Sequence, residues 1–287
     1  MRAHTIEHEG LTLGLLTAGD PRAPALVLLH GWPHSKEAYD RVIDPLGASH
    51  FVLAFDLPAV GASRGAPRSA EKHRLADIVI GAAERAGATA MVVAGFDVGG
   101  MIAFAAARDH GARIAGAVIM NTVLPGLDPW ANILSDPRVW HFAFHAIPEL
   151  PERLVAGHQR AYFDYFFEVL VGNKRAVPER YRSMFARAYE RPEALTAGFD
   201  WYRAMAADAK RNAEPREIRT PILYVRGDAD GRSPEPYVRG LEAGGAKHVQ
   251  ARILEGSGEL APLEAPESFT AALLGFAREC RSSYADW

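Results

Sequence analysis

Short apolar runs recur along the chain and alternate with segments of helical periodicity. The apolar runs are 11–19, 25–30, 51–56, 90–95, 115–121, 221–227 and 249–256. Helical patterns fall at 35–46, 70–87, 98–110, 235–243 and 266–281. Runs of Val, Ile, Leu and Ala that are separated by helices are typical of parallel strands buried on both faces. We therefore predict an α/β protein with a mostly parallel, doubly wound sheet, in which 11–19 belongs to an antiparallel pair.

Residues 125–215 interrupt this alternation. They contain no clear strand and are rich in aromatic residues. We predict a helical insert at 125–215, between the fourth and fifth parallel strands, and a sheet core formed by 1–124 and 216–287. Ligands of open α/β sheets bind at the carboxyl ends of the strands. An insert at this place is therefore expected to form a cap over such a site.

The composition narrows the class of partner. The 287 residues carry a net charge of −3, with acidic and basic residues interspersed, so nucleic acid and anionic membranes are not expected partners. A lone cysteine, Cys280, excludes an internal disulfide and a thiolate metal cluster. We expect no cofactor and no metal, and a cytoplasmic protein, because no signal segment or membrane span is visible. A homodimer is a base-rate expectation.

The stretch Gly95-Phe96-Asp97-Val98-Gly99 joins a predicted strand to a predicted helix. Glycines on both sides of a central residue allow the tight, strained turn of a nucleophile elbow. The carboxylate of Asp97 should then project at a helix N-terminus, where the helix dipole favours negative charge. The alternative is an aspartate that only caps the helix. A serine hydrolase is excluded because the central residue is Asp.

Four motifs stand in one order along the chain. They are HGWP at 30–33, DLPAVGAS at 56–63, GFDVGG at 95–100 and RGDADG at 226–231. Together they resemble the epoxide hydrolase and haloacid or haloalkane dehalogenase branch of the α/β-hydrolase superfamily. Ala59 and Phe96 depart from the family pattern, which usually has glycine and histidine there. The resemblance covers nearly the whole chain and implies an α/β-hydrolase fold with an inserted helical cap domain.

The resemblance also implies a covalent mechanism. Asp97 would attack a substrate carbon to give an alkyl-enzyme ester, which water activated by a histidine–carboxylate pair then hydrolyses. The backbone N–H groups of Trp32 and Val98 would form the oxyanion hole. Asp230 would be the charge-relay acid, because Asn121 occupies the other place from which relatives take that acid.

The insert resembles the part of some epoxide hydrolases in which a histidine and a tyrosine hold the epoxide oxygen. By position these residues are His141 and Tyr202, and both side chains can donate a hydrogen bond to an alkoxide. A buried histidine and a tyrosine of the aromatic core are the structural alternatives. We also expect further residues to line the substrate pocket: His30, Pro33, His34, Phe96, Trp140, His145 and Trp201.

The stretch LEGSGELAPLEAPESF, at 254–269, departs from the family at one position. Gly258, Pro262 and Glu264 fit the pattern around the catalytic histidine, but Glu259 occupies the place of that histidine. We expect Glu259 to lie beside Asp230, so that repulsion between like charges raises one of the two pKa values.

Four interpretations of Glu259 follow. Glu259 activates water, or His34, His141 or His145 substitutes for the missing histidine. Alternatively, Asp97 or Glu259 acts as an acid or base in a lyase, isomerase or cyclase. Finally, the protein is a non-catalytic binding relative or a disabled variant.

Within the hydrolytic interpretation, an epoxide is favoured over a halide. Small haloacids need arginines that hold the carboxylate, and none follows Asp97 before Arg108. The aromatic insert further suggests a small-molecule substrate that is apolar or bulky.

Overall fold

One eight-stranded sheet organises the molecule. The computed structural model describes the backbone of residues 1–284 and the side chains of residues 1–281. In chain order the strands are β1 Arg2–His8, β2 Leu11–Ala18, β3 Ala25–Leu29, β4 Phe51–Phe55, β5 Met91–Phe96, β6 Ile114–Met120, β7 Ile222–Gly227 and β8 Val249–Leu254. Their order across the sheet is β1-β2-β4-β3-β5-β6-β7-β8. The pairs β1–β2 and β2–β4 are antiparallel and the others are parallel, which confirms the predicted sheet.

Burial explains which strands the apolar pattern found. Every residue of β3 to β7 is buried, as expected for strands covered by helices on both faces. The edge strand β1 has no apolar run because most of its residues are exposed, and sequence analysis did not predict it. Its register against β2 pairs Arg2 with Thr17 and His8 with Leu11.

The helices flank the sheet or form the insert. In chain order they are α1 Ile43–Gly47, α2 Lys72–Arg85, α3 Val98–Asp109, α4 Trp130–Leu134, α5 His141–Ala146, α6 Leu150–Val155, α7 Gln159–Leu170, α8 Glu179–Ala188, α9 Pro192–Arg203, α10 Met205–Asn212, α11 Glu235–Ala243, α12 Ala261–Glu264 and α13 Pro266–Tyr284. Within residues 1–284, no helix is both long and apolar enough to cross a membrane.

The predicted helix at 35–46 is wrong. The chain forms a short 3₁₀ helix, Lys36–Tyr39, and then the separate helix α1. Pro45 has no N–H to donate, so it is tolerated only in the first turn of a helix and α1 must begin close to it. Contacts outside the segment fix its start. The N–H and Nζ of Lys36 donate to buried Asp56, which follows β4, at 3.0 and 2.8 Å.

The segment between β6 and β7 is helical, from α4 to α10, as predicted for the insert. Its aromatic residues pack on Trp32, in the loop after β3. The Trp32 ring lies 4.5 Å from His145, 4.9 Å from Phe166 and 5.2 Å from Phe163, centroid to centroid. This packing joins the insert to the strand ends.

Candidate active site

A cavity of about 350 Å³ lies where the insert meets the carboxyl ends of the strands. Residues from both parts of the chain line it. Six of the predicted site residues are among them: Trp32, Asp97, His141, Tyr202, Asp230 and Glu259.

Asp97 occupies the strained turn between β5 and α3. Its φ of 49° and ψ of −125° lie outside the regions that non-glycine residues prefer. The turn needs its glycines, because a Cβ on Gly95 would stand 2.2 Å from the Gly99 carbonyl oxygen. The carboxylate makes no capping bond to α3, and its Oδ2 instead accepts the Trp32 N–H at 2.7 Å. The capping alternative is therefore wrong for this aspartate.

Burial raises the pKa of Asp97 to about 6. The N–H groups of Val98 and Trp32 and the charge of Lys72 act in the opposite direction. The predicted oxyanion-hole donors therefore both act on this carboxylate. Asp97 is mostly ionised at neutral pH because its pKa remains below 7.

Glu259 lies in the turn after β8, half-buried and facing the same cavity. Burial raises the pKa of its carboxyl well above the usual range, and the charges of Asp97 and Glu264 raise it further. The charge of Arg226 opposes this shift. In the free protein, Glu259 is therefore a proton donor rather than a ready base.

The expected pairing of Glu259 with Asp230 is not formed. Asp230 pairs with Arg226 and lies 3.7 Å from the Nε of Arg232. No hydrogen bond joins Asp230 to Glu259 in the part of the chain with described side chains. The like charges that act on Glu259 come from Asp97 and Glu264, because the guanidinium groups hold Asp230 on its own loop.

Asn121 positions the turn that carries Glu259, a role that sequence analysis missed. It follows β6 with a φ of 46°. Its Nδ2 donates to the carbonyls of Gly258 at 2.9 Å and Glu259 at 3.1 Å, and its Oδ1 accepts the Gly227 N–H at 2.8 Å. One amide side chain therefore ties together the ends of β6, β7 and β8. The sequence signal was an asparagine at the very position where relatives place an acid.

Glu264 is the second positioning residue. Its buried carboxylate accepts the N–H groups of Gly258 at 2.9 Å and Leu260 at 2.8 Å, on either side of Glu259. It also accepts the N–H of Asn173, from the insert, at 2.7 Å. The charge of Glu264 thus fixes the turn and at the same time raises the pKa of Glu259.

His141 and Tyr202 face the cavity from the insert, with ring centroids 5.7 Å apart. Burial lowers the pKa of His141 to about 3, so its ring is neutral at neutral pH. Its Nδ1 has no partner among the residues with described side chains. Burial and the charges of Asp97 and Glu259 raise the pKa of Tyr202 well above its usual value, so its hydroxyl keeps its proton. Both rings are therefore neutral hydrogen-bonding groups.

Comparison with known proteins identifies the fold. A family model described as the alpha/beta hydrolase fold matches residues 24–266. The chain belongs to the α/β-hydrolase family. The chain is 25% identical to a soluble epoxide hydrolase of Corynebacterium sp. strain C12, over 92% of this chain and 93% of that protein. It is 27% identical to a pimeloyl-[acyl-carrier protein] methyl ester esterase of Yersinia enterocolitica, over 88% of this chain and 93% of that protein.

A solved structure agrees with this assignment. The wild-type Cfl2 protein from Burkholderia cenocepacia superposes with a TM-score of 0.86 at 27% identity, covering 96% of this chain and 94% of that one. The predicted α/β-hydrolase fold is therefore confirmed.

His30 of this α/β hydrolase does not line the cavity, contrary to expectation. It is fully buried, its Nδ1 lies 2.8 Å from the Gly31 carbonyl and its Nε2 accepts the Leu57 N–H at 3.0 Å. The Nδ1 contact stays within the loop after β3, and the Nε2 hydrogen bond joins this loop to the one after β4.

His34 and His145 also lie outside the cavity lining. His34 packs against Phe96 and Phe185, with centroids 5.1 and 5.0 Å away. The Nε2 of His145 bonds the Tyr162 hydroxyl at 2.8 Å. Burial lowers the pKa of His34 to about 3 and that of His145 to about 2. Of the candidate substitutes for the missing histidine, the cavity lining includes His141 alone.

The other predicted pocket residues serve packing. Phe96 and Trp201 are buried away from the cavity, and Pro33 is buried beside Trp32. Trp140 is 41% exposed, and its Nε1 donates to the Tyr165 hydroxyl at 3.3 Å. Aromatic residue type alone did not distinguish the cavity wall from the core around it.

Arginines line the cavity, although none follows Asp97 closely in sequence. Arg138 comes from the insert, Arg226 from β7 and Arg232 from the loop after β7. Arg108, the first arginine after Asp97, instead donates to Asp109 at 2.8 Å. The sequence argument considered only arginines that follow Asp97 along the chain, so it did not find these three.

Glu71, His73 and Asp208 are residues of the types that bind metal ions. Ligand atoms of Glu71, His73 and Asp208 lie within 4.8 Å of one another. Both oxygens of Asp208 already accept from Lys72, Oδ1 from its N–H at 2.9 Å and Oδ2 from its Nζ at 2.8 Å. A cation there would have to displace a buried ammonium group.

Proposed function

We propose that this α/β hydrolase hydrolyses epoxides through an alkyl ester on Asp97. The observation that carries the proposal is one cavity in which Asp97, bound by the Trp32 N–H at 2.7 Å, shares the wall with Tyr202, His141 and Glu259. A carboxylate nucleophile and neutral hydrogen-bond donors are the two parts that epoxide opening requires.

In the first step, Asp97 attacks an epoxide carbon and the C–O bond to the epoxide oxygen breaks. Tyr202 and His141 hydrogen-bond the leaving oxygen, which receives the proton of Glu259. The result is an ester on Asp97, a hydroxyl on the substrate and an ionised Glu259. The raised pKa of Glu259 supports its role as this acid.

In the second step, Glu259 takes a proton from water and the hydroxide attacks the ester carbonyl. Esterification has removed the charge of Asp97. Of the charges that raise the pKa of Glu259, this one has the largest effect, so ionised Glu259 is now less disfavoured. The N–H groups of Trp32 and Val98 bind the oxyanion. Collapse leaves Asp97 as a carboxylic acid, whose proton passes to the departing alkoxide. The diol then leaves, Asp97 is a carboxylate again, and Glu259 keeps the proton that it took from water.

The test is incubation with a panel of neutral and charged epoxides, followed by diol analysis and intact-protein mass spectrometry. We expect diol from the wild type and neither diol nor adduct from Asp97→Asn. Asp44→Asn, a substitution of an exposed surface carboxylate, is the matched control and should behave as wild type. Diol formation that survives in Asp97→Asn would overturn the proposal.

A second candidate is a non-hydrolytic proton transfer, such as isomerisation or elimination. The observation that favours it is the presence of an ionised Asp97 and a protonated Glu259 on one cavity wall, which makes an acid–base pair. This function predicts a product of unchanged mass and no covalent adduct under any condition.

A further inference from the structure

The cavity has a cluster of guanidinium groups that the proposed mechanism does not use. Arg138, Arg226 and Arg232 all line the cavity, and their carboxylate partners are Asp136 and Asp230. We call these five residues the arginine cluster.

Arg226 is the fixed member of the arginine cluster. It is 6% exposed, and its guanidinium lies over the Tyr237 ring at 4.7 Å from the centroid. One of its nitrogens donates to Asp230, but its buried Nε has no partner among the residues with described side chains. A stacked, immobilised guanidinium whose terminal nitrogen already holds a carboxylate oxygen is suited to planar oxyanions.

The other charges of the cluster leave positive charge in excess. Asp136 binds Arg138 through two of that residue's nitrogens and also accepts from Arg232. Three guanidinium groups thus face two carboxylates. The Asp230 side chain is 36% exposed and sits on a loop, so an incoming anion can take over its donors on Arg226 and Arg232.

We propose that the arginine cluster binds a carboxylate group of the substrate, so that the preferred substrate is an epoxide that also carries a carboxylate. The proposal rests on the proposed function, since the epoxide must reach Asp97 within the same cavity. Arginine binds a carboxylate through charge-assisted, often bidentate hydrogen bonds, which are stronger than hydrogen bonds between neutral groups.

The rest of the lining suits the hydrocarbon between the two groups. Ile133, Phe142 and Val169 supply apolar wall to the same cavity. A cavity of about 350 Å³ accommodates a short chain rather than a large lipid. The carboxylate would orient the substrate, and the choice of carbon attacked by Asp97 would follow from the chain length.

The experiment compares terminal epoxy carboxylates of six, eight and ten carbons with their primary amides, which have the same shape and no charge. We expect a wild-type preference in kcat/KM for the carboxylate of about tenfold to hundredfold, because a hydrogen bond to a charged group stabilises by more than a neutral one. Arg226→Gln and Arg232→Gln should bring the ratio toward one, mainly through KM. Arg113→Gln, at a surface ion pair with Glu84, is the control and should keep the preference.

Two comparisons separate this proposal from the proposed function. Arg226 also acts on the pKa of Glu259, so Arg226→Gln would change both anion binding and the acid. Arg232→Gln is therefore the variant that tests anion binding alone. Calorimetric binding of the same carboxylates and amides to Asp97→Asn needs no turnover. If no epoxide is hydrolysed yet the carboxylate binds at least tenfold tighter than the amide, the proposed function fails and the anion site stands. Equal binding and equal turnover of the two series would overturn the anion site.

Discussion

The turns after β5 and β8 each place a carboxyl group at the same cavity, but the surroundings of the two groups differ. At the turn after β5, the N–H of Val98 and the N–H of Trp32, from the loop after β3, stabilise the ionised form of Asp97. The turn after β8 holds only the backbone of Glu259, and its carboxylate faces the charges of Asp97 and Glu264. The comparison shows that the surroundings, more than the residue type, decide which carboxyl keeps its proton.

The same comparison is the basis of the two roles that we propose. A carboxylate that stays ionised at a strained turn can attack carbon, whereas a neutral carboxylic acid nearby can supply the proton that the leaving oxygen needs. In the proposed mechanism, loss of the Asp97 charge on esterification lets Glu259 change from acid to base. The substitutions and the pH profile below distinguish the contribution of the Asp97 turn from that of the Glu259 turn.

The largest effect is expected from Glu259. Glu259→Gln can neither protonate the leaving oxygen nor activate water, so diol formation should fall by about 10²- to 10⁴-fold. The loss of the water step should leave a covalent adduct on Asp97 in the intact-protein mass. Glu259→His should release diol at a restored or higher rate, because imidazole titrates near neutral pH without special surroundings. Unchanged turnover in Glu259→Gln would remove Glu259 from both steps.

Tyr202→Phe should reduce the rate of adduct formation by about 10²-fold, since it removes one hydrogen-bond donor from the leaving oxygen. The hydrolysis of an adduct already formed should change little. Single-turnover kinetics with separate adduct and diol readouts measures the two rates. The control is Tyr165→Phe, an exposed tyrosine of the same insert, which should be neutral. An equal loss in both variants would indicate a packing effect.

The pH profile should be bell-shaped. The rising limb follows ionisation of Asp97, with a pKa of about 6 raised by burial. The falling limb follows loss of the Glu259 proton, at the raised pKa of that group. In Glu259→Gln the residual rate of adduct formation should keep the rising limb and lose the falling limb. A falling limb that survives in Glu259→Gln would assign it to another group.

The smallest effect is expected from Asn121, which acts through the backbone of the second turn. Asn121→Ala removes three hydrogen bonds between strand ends and should lower the free energy of unfolding by about 1–3 kcal/mol. Its activity loss should fall on the water step more than on ester formation, because the Asp97 turn is held separately. Denaturant unfolding alongside single-turnover kinetics checks both, with the exposed Asn132→Ala as control.

Local patterns predicted the parts of the molecule that local forces determine. Continuous apolar runs predicted the buried strands, and the spacing of glycines around Asp97 predicted the strained elbow. The exposed strand β1 lacked such a pattern, and Pro45 broke the predicted helix at 35–46.

Contacts between distant segments were harder to predict. The sequence placed Glu259 correctly in the cavity wall but paired it with Asp230, whose arginine partners come from β7 and the loop after it. His30 and His34 are close in sequence to Trp32, which lines the cavity, but their rings are buried elsewhere. His30 accepts the Leu57 N–H, and His34 packs against Phe96 and Phe185. Which side of a wall a ring faces depends on tertiary packing, and no residue pattern carries that information.

The most direct test of the account is a single turnover of an epoxide in ¹⁸O-water with enzyme in excess, followed by mass analysis of the peptide that contains Asp97. We predict that the label enters the Asp97 carboxylate and that the first diol released carries none, because water attacks the ester carbonyl. A labelled diol with unlabelled Asp97 would contradict it, since water would then attack the epoxide directly and no ester would form.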